Sequence, residues 1–75
     1  LIYRYLKKNK KKILNLCLKN QKKTIINRLL NFGVNKVEYL ECVNFKKVKI
    51  VKSKTKIFNI FIAYYLDDIR LIDNL

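Results

Sequence analysis

Apolar side chains recur at steps of three and four residues through the first third of the chain. This spacing places them on one face of a helix, with lysines on the opposite face. We therefore predict helical structure from Ile2 to Phe32, as one helix or as a helix pair. The pattern weakens over Lys19–Lys23, where a break is expected and Asn20 is a candidate N-cap for the second helix. The apolar positions are Ile13, Leu14, Leu16, Cys17, Ile25, Ile26, Leu29 and Leu30.

Gly33 predicts the end of this helical segment. Glycine readily adopts the left-handed conformation that commonly follows the last turn of a helix, because it has no Cβ. Val34 is then placed to fold back on Leu29 or Leu30. This is the clearest boundary in the sequence.

After the glycine the apolar spacing changes from helical to alternating. Lys36–Val43 and Lys47–Lys52 are rich in β-branched and aromatic residues, which predicts two strands. The intervening Asn44–Lys46 suits the short turn of an antiparallel hairpin. In the second strand we expect Val48 and Ile50 on a buried face, with the alternate lysines on a basic face.

The last quarter of the sequence fits two different structures. Ile57–Leu66 either extends the second strand or begins a buried helix. Asp67 and Asp68 favour a helix start, because acids stabilise the positive end of the helix dipole. We therefore predict a short C-terminal helix that begins near Asp67 and packs its apolar residues inward.

The predicted order of elements is helix or helix pair, two-stranded antiparallel hairpin, C-terminal helix. This is an α+β fold, a two-layer sandwich. The length suits one small domain, residues 1–75, with a basic helical segment over 1–32 and a strand-strand-helix segment over 33–75.

The charge balance predicts an anionic partner. The chain has 18 Lys and Arg against 5 Asp and Glu, a net charge of +13. A compact chain with this charge attracts polyanions. The hydrophobic share of 51% is too high for a disordered basic tail. The longest apolar stretch is about half as long as a bilayer span requires, so no membrane span is expected.

Composition argues against catalysis. The chain has no His and one Gly, which removes the imidazole bases and ligands of many hydrolytic and zinc sites, and the Gly-rich phosphate loops. Glu38 and Glu41 are an odd number of positions apart, so a strand would point them to opposite faces. Cys17 and Cys42 are interpreted as two small buried thiols, or as part of a metal site shared with a partner chain. We expect no enzymatic activity, no cofactor, no small-molecule substrate and no metal site within the chain.

The basic side chains form two groups, one within residues 7–28 and the other within residues 46–56, and both are predicted to contact RNA. The chain has 15 Lys against 3 Arg, and Lys suits contacts with a phosphate backbone better than readout of base edges. Phe45, at the hairpin tip, is the best candidate for stacking on an unpaired base. The candidate RNA-binding residues are Lys7, Lys8, Lys10, Lys11, Lys12, Lys22, Lys23, Arg28, Phe45, Lys46, Lys47, Lys49, Lys52, Lys54 and Lys56.

The stretch Thr24–Lys54 resembles the N-terminal half of small-subunit ribosomal protein three. In that family a basic helix ends at a Gly, and two strands follow, the second with alternating basic and β-branched residues. Here residues 33–38 (GVNKVE) and 47–50 (KVKI) stand at those places. The tail Leu66–Leu75 resembles the helix that comes next in the family's KH domain. A weaker similarity runs to ribosomal protein eight of the same subunit.

The resemblance implies a reduced organellar ribosomal protein with a degenerate KH-like fold. The family's Gly-x-x-Gly loop is replaced by Phe61–Tyr64, which implies a structural role. Ribosomal RNA and neighbouring ribosomal proteins, among them a separately encoded C-terminal half, would be the partners. Abundant Lys, Asn and Ile, which have A- and U-rich codons, predict a mitochondrial location. The alternatives are a basic amphipathic membrane-surface or antimicrobial protein, and a small accessory subunit of an organellar membrane complex.

Overall fold

The computed structural model describes residues 2–75, in which three helices are followed by four strands. The strands form one antiparallel sheet in the order β2-β1-β3-β4. The α+β fold predicted from the sequence is therefore confirmed. The elements are α1 (Ile2–Lys8), α2 (Lys10–Leu18), α3 (Lys22–Asn31), β1 (Lys36–Asn44), β2 (Lys49–Ile50), β3 (Asn59–Leu66) and β4 (Ile69–Asn74).

α1 and α2 form an almost continuous helix with one irregular residue, Asn9, between them. Asn9 donates its backbone N–H to the Tyr5 carbonyl at 3.1 Å, and Ile13 donates to the Asn9 carbonyl at 2.8 Å. The Asn9 side chain also donates from Nδ2 to the Tyr5 carbonyl at 2.8 Å. Asn disturbs helices through such local bonds between side chain and backbone. Helical hydrogen bonding nevertheless continues across the junction, so one helical face runs from α1 into α2.

The end of α2 is followed by a left-handed residue, Asn20, whose φ is 60°. The N–H groups of Asn20 and Gln21 donate to the carbonyls of Cys17 and Leu16, at 3.1 and 2.7 Å, which forms a Schellman motif. The predicted break over Lys19–Lys23 is confirmed. Asn20 is not the N-cap of the next helix, however, because Gln21 occupies that position. Asn tolerates positive φ better than most residues with a Cβ, so it terminates α2 instead.

α3 ends as predicted, just before Gly33, whose φ is 107°. Gly33 donates its N–H to the Leu30 carbonyl at 3.1 Å, and Val34 donates to the Leu29 carbonyl at 3.2 Å. These two bonds form a second Schellman motif. Val34 and Leu29 are both buried in the same core cluster. The predicted return of the chain onto the helix is therefore confirmed.

The first hairpin differs from the prediction in its second strand. β1 matches the predicted strand, whereas the strand predicted over Lys47–Lys52 is reduced to two residues, because the turn occupies residues 45–48. Asn44 Oδ1 accepts hydrogen bonds from two backbone N–H groups of this turn, at 3.0 and 3.1 Å, as Asn commonly does in turns. Val48 and Ile50 are 80% and 57% exposed. The buried face predicted for these two residues is wrong.

The predicted C-terminal helix is also wrong, because β3 and β4 form a second hairpin there. Neither structure considered for Ile57–Leu66 is correct as predicted, because Asn59–Leu66 is extended but forms a separate strand, β3, that pairs with β1 instead of extending the second strand. The register leaves Asp67 and Asp68 as a two-residue turn, in which Asp67 has a φ of 55°. The Asp67 N–H donates to Asn35 Oδ1 at 2.6 Å. Asp is one of the few residues that tolerate positive φ, so the acids form a tight turn rather than the first turn of a helix.

The core lies between the helices and one face of the sheet. Alternate side chains of β3 point into it: Ile60 and Ile62 are fully buried and Tyr64 almost so, as expected for one face of a pleated strand. Because the helices cover only this face, Tyr39 on the opposite face is partly exposed to solvent. The helical side of the core consists of Leu6, Ile13, Leu14, Ile25 and Leu29.

Candidate functional site

A basic cleft lies where the continuous α1–α2 helix meets α3. Its volume is about 550 Å³, and four of the six side chains that line it are cationic. No acidic side chain of residues 2–75 lines it. Cations that face one space without a counter-charge favour an anionic ligand. The lining residues are Arg4, Tyr5, Lys8, Asn9, Lys12 and Arg28.

Helical spacing brings three of these cations to one face. Arg4, Lys8 and Lys12 are each four positions apart, and residues four apart are neighbours on a helix surface. The hydrogen bonding across Asn9 preserves this spacing between α1 and α2. Like charges at this spacing repel each other. An anion bound between them would relieve the repulsion.

Packing holds the walls of the cleft in place. Leu6 of α1 and Ile25 of α3 are fully buried, so the two walls share one core. The Tyr5 ring contacts the Phe32 ring edge to face, with ring centroids 5.3 Å apart, a favourable geometry for two aromatic rings. This contact joins α1 to the end of α3. Core packing and this ring contact therefore hold together the helices that carry the four cations.

Most of the predicted RNA-binding residues lie on the surface, and thirteen of the fifteen are exposed. The other two make intramolecular contacts. Lys10 Nζ lies 4.9 Å from the centroid of the Phe58 ring, within cation–π range. Lys22 Nζ lies 2.5 Å from Glu41 Oε1. Three of the fifteen line the cleft, namely Lys8, Lys12 and Arg28.

The hairpin lysines lie apart from the cleft. They border a groove of about 800 Å³ along β2 and the segment after it. Phe45 is half exposed in the turn between β1 and β2, as predicted from the sequence. This groove is formed by a two-residue strand and irregular chain, whereas the cleft is formed by packed helices. Sites on packed elements are better ordered, so the cleft is the stronger candidate. The lysines of the groove are Lys47, Lys49, Lys52 and Lys54.

The two glutamates of β1 belong to separate ion pairs. Glu38 accepts two hydrogen bonds from Arg70, at 2.8 and 3.1 Å, and a third from the Tyr65 hydroxyl at 3.2 Å. The hydrogen bond from Arg70 lowers the pKa of Glu38 from its ordinary value of 4.5. Glu41 pairs with Lys22 on α3. Within residues 2–75, no three or more His, Cys, Asp or Glu side chains form a group that could hold a metal ion.

Sequence reasoning missed three residues of the cleft, Arg4, Tyr5 and Asn9. A signal for Arg4 was present, because it begins the four-residue repeat that continues at Lys8 and Lys12. The neighbouring lysines Lys7, Lys10 and Lys11 obscure this repeat in the sequence. The contribution of Arg28 depends on the packing of α3 against the α1–α2 helix, which no local pattern predicts.

The family model of pantoate-beta-alanine ligase matches residues 1–75. No curated protein and no solved structure matches this chain. The family match includes all six residues that line the cleft.

This match overturns the ribosomal interpretation. The resemblances to small-subunit ribosomal proteins three and eight are wrong, and so are the RNA-binding ribosomal role and the ribosomal partners inferred from them. A lysine-rich surface and a helix-strand-strand order are not specific to one family, because unrelated proteins share such general features. The KH-like fold also required a C-terminal helix, which the structure replaces with a hairpin.

The other functional expectations change as well. A membrane-surface protein and an accessory subunit of a membrane complex are both wrong, because the family is one of ligases. No helix within residues 2–75 is long and apolar enough to cross a membrane. The expectations of no enzymatic activity and of no small-molecule substrate are wrong for the same family reason. The mitochondrial location stays a prediction. The chain belongs to the pantoate-beta-alanine ligase family.

Proposed function

We propose that this chain takes part in the reaction that names its family, the ligation of pantoate to β-alanine, and that its basic cleft binds the anionic groups of the substrates. One observation carries the proposal: four cationic side chains from three helices line one space, and no acid of residues 2–75 joins them. Pantoate carries a carboxylate, and the nucleoside triphosphate that drives a ligase carries phosphates. Arg and Lys bind both kinds of anion through charge-assisted hydrogen bonds.

Ligation of a carboxylate to an amine begins with two anions. A free carboxylate is a poor acyl donor, so one of its oxygens first attacks a phosphorus atom of the triphosphate, which for this family is ATP. The negative charges of the two reactants oppose this approach. Charge also builds up on the phosphate oxygens as the bond to the leaving group breaks. Cations held in a preformed cleft lower both contributions to the barrier.

The arginines and lysines of the cleft suit different parts of this task. The guanidinium groups of Arg4 and Arg28 are planar forks that bind a carboxylate or a phosphate through two parallel hydrogen bonds. Lys8 and Lys12 supply compact charges one helical turn apart, which suits phosphate oxygens without demanding one orientation. Arg28 lies on a different helix from the other three. It therefore approaches a bound anion from the opposite wall.

The composition of the chain is compatible with this chemistry. The lack of His excludes an imidazole base within the 75 residues. Positioning of two reactants and stabilisation of developing charge require no imidazole, and these two effects account for much of phosphoryl-transfer catalysis. The residues of the cleft are therefore assigned to binding and charge stabilisation, and none of them to proton transfer.

Binding measured on the 75-residue chain tests the proposal. Isothermal titration calorimetry with pantoate, and separately with ATP and Mg²⁺, is expected to show a saturable site for each. Arg28→Gln removes one fork of the cleft and keeps a polar side chain of similar length. It is expected to weaken binding about tenfold or more, because a hydrogen bond to a charged group contributes about 1.5–3 kcal/mol.

Lys19→Gln is the matched control, since it removes one positive charge at an exposed position outside the cleft. Its affinity for ATP is expected to stay within about twofold of the wild type, because exposed charges at a distance are screened by salt. Formation of the amide between pantoate and β-alanine, followed by mass spectrometry with ATP present, measures the activity itself. Equal losses of affinity in the two variants would point to general charge attraction and contradict a cleft site.

A further inference from the structure

Two thiols from different layers of the fold meet beside the core. Cys17 lies in the last turn of α2 and Cys42 lies in β1. They are 25 positions apart along the chain, and their Sγ atoms are 3.7 Å apart, with the Cys42 S–H donating to Cys17. Both are unbridged. A disulfide requires the sulfurs to approach to about 2.0 Å, so the pair is one short side-chain movement from a covalent bond.

The two thiols differ in accessibility. Cys17 is half-buried, whereas Cys42 is only 2% exposed. A reagent from solvent therefore reaches Cys17 first. Cys42 lies behind it, in contact with its sulfur, where it can attack a bond formed on Cys17.

The electrostatics of the pair favour the same order. The hydrogen bond that Cys42 donates lowers the pKa of Cys17 from its ordinary value of 9.0, and the nearby Lys22 ammonium acts in the same direction, against burial and Glu41. The same hydrogen bond, together with burial, raises the pKa of Cys42. The thiolate is the attacking form of cysteine, so Cys17 is the more reactive of the two.

We propose that Cys17 and Cys42 are a redox modification site, which closes to an intramolecular disulfide by exchange with a low-molecular-weight disulfide such as glutathione disulfide. The Cys17 thiolate attacks one sulfur of that disulfide, forms a mixed disulfide and releases one thiol. The Cys42 sulfur then loses its proton to solvent and attacks Cys17 Sγ, which releases the second thiol. The small disulfide is reduced to two thiols, and the two cysteines are oxidised to one disulfide.

Closure ties the helical layer to the sheet. The bond would join residues 25 positions apart, and a cross-link over such a loop restricts the unfolded chain strongly. The melting temperature of the oxidised chain is expected to rise by about 10 °C or more for a domain of this size. The modification is reversible, because an excess of small thiol runs the same exchange backwards.

The test treats the 75-residue chain with glutathione disulfide under native conditions. The wild type is expected to lose two hydrogen atoms in mass, to lose both thiols in a titration and to remain monomeric. Cys42→Ser is expected to stop at the mixed disulfide, because it lacks the second attacking thiol. Cys17→Ser is expected to stay largely unreacted, because the remaining thiol is buried. In urea the two variants should react at similar rates, which controls for their intrinsic reactivity.

Three results would overturn the proposal. The first is a wild type that carries two separate glutathione adducts or forms disulfide-linked dimers. The second is a Cys17→Ser variant that reacts as fast as Cys42→Ser while folded. The third needs no variant: an oxidised wild type that melts at or below the temperature of the reduced chain would show that the bond does not fit the fold.

Discussion

Replacing the single glycine separates backbone strain from steric crowding at the end of α3. Gly33 has a φ of 107°, and a Cβ built on it would meet no atom within 4 Å. Gly33→Ala therefore introduces no collision, and its cost arises from the backbone alone. A non-glycine residue in such a conformation costs about 1–3 kcal/mol. Alanine also restricts the unfolded chain, which returns about 0.4–1 kcal/mol. The net expectation is a loss of about 1–2 kcal/mol.

Urea unfolding followed by circular dichroism measures this loss, with thermal melting as a second readout. For a domain of this size 1 kcal/mol corresponds to about 4–8 °C in melting temperature. A chemically synthesised chain with D-alanine at position 33 is the matched control. It adds the same methyl group, but a D-residue prefers positive φ. Its free energy of unfolding is expected to equal or exceed that of the wild type.

Two outcomes would refute this reasoning about Gly33. An L-alanine variant as stable as the wild type would mean that the left-handed conformation is not required to end α3. A loss well above about 3 kcal/mol would exceed what one strained backbone position costs. It would then have to come from the two Schellman hydrogen bonds or from the packing of Val34 on Leu29.

Three further predictions concern the core and the titrating side chains. Leu29→Ala removes a fully buried side chain and should lower the free energy of unfolding by about 2–5 kcal/mol in urea titration, far more than Leu30→Ala at its exposed neighbour. The hydrogen bonds from Arg70 hold the pKa of Glu38 below its ordinary value of 4.5. The ionised carboxylate therefore stabilises the fold above that pH, and this stabilisation is lost as the pH falls through the lowered pKa. Glu38→Gln should therefore flatten the dependence of the melting temperature between about pH 6 and about pH 3. Burial raises the pKa of Tyr64 above its ordinary value of 10.0. The neutral Tyr64 side chain therefore contributes to the stability of the fold below that pH, and this contribution is lost as the pH rises through the raised pKa. Tyr64→Phe should reduce the alkaline fall in melting temperature between about pH 9 and about pH 11.

The ends of the helices could be predicted where the deciding residues are close in sequence. The motif at Gly33 involves residues within six positions of one another, so the sequence contains all the information that it needs. Asn20 shows the limit of this reasoning. Asn suits both the start of one helix and the left-handed end of another, and the local pattern does not distinguish the two.

The second half of the fold depends on partners that are distant in sequence. Asp67 and Asp68 fit a helix start as well as a tight turn, and local preference favours the helix. The turn forms because β4 pairs with β3, which itself pairs with β1. The bond from the Asp67 N–H to Asn35 spans 32 positions. Tertiary pairing therefore overrides local preference, as it commonly does for short segments.

The same limit applies to the two proposed sites, the basic cleft and the pair of cysteines. The spacing of Arg4, Lys8 and Lys12 is visible in the sequence, but Arg28 joins them only through helix packing. The predicted burial is confirmed for Cys42, whereas Cys17 is only half-buried. Their contact could not be predicted, because Cys17 and Cys42 lie in different layers. Sequence thus predicts which chemistry is present on each element, and the packing of elements decides which groups act together.

α2 links the two proposed sites and also keeps them apart. Lys12 and Cys17 are five positions apart on this helix, which rotates them by about 140° around its axis. One side chain therefore lines the cleft and the other contacts the sheet. Residues with no shared partner usually contribute independently to stability and binding. A loss of ATP binding in Arg28→Gln and a loss of disulfide closure in Cys42→Ser are thus separate observations, and failure of either proposal leaves the other standing.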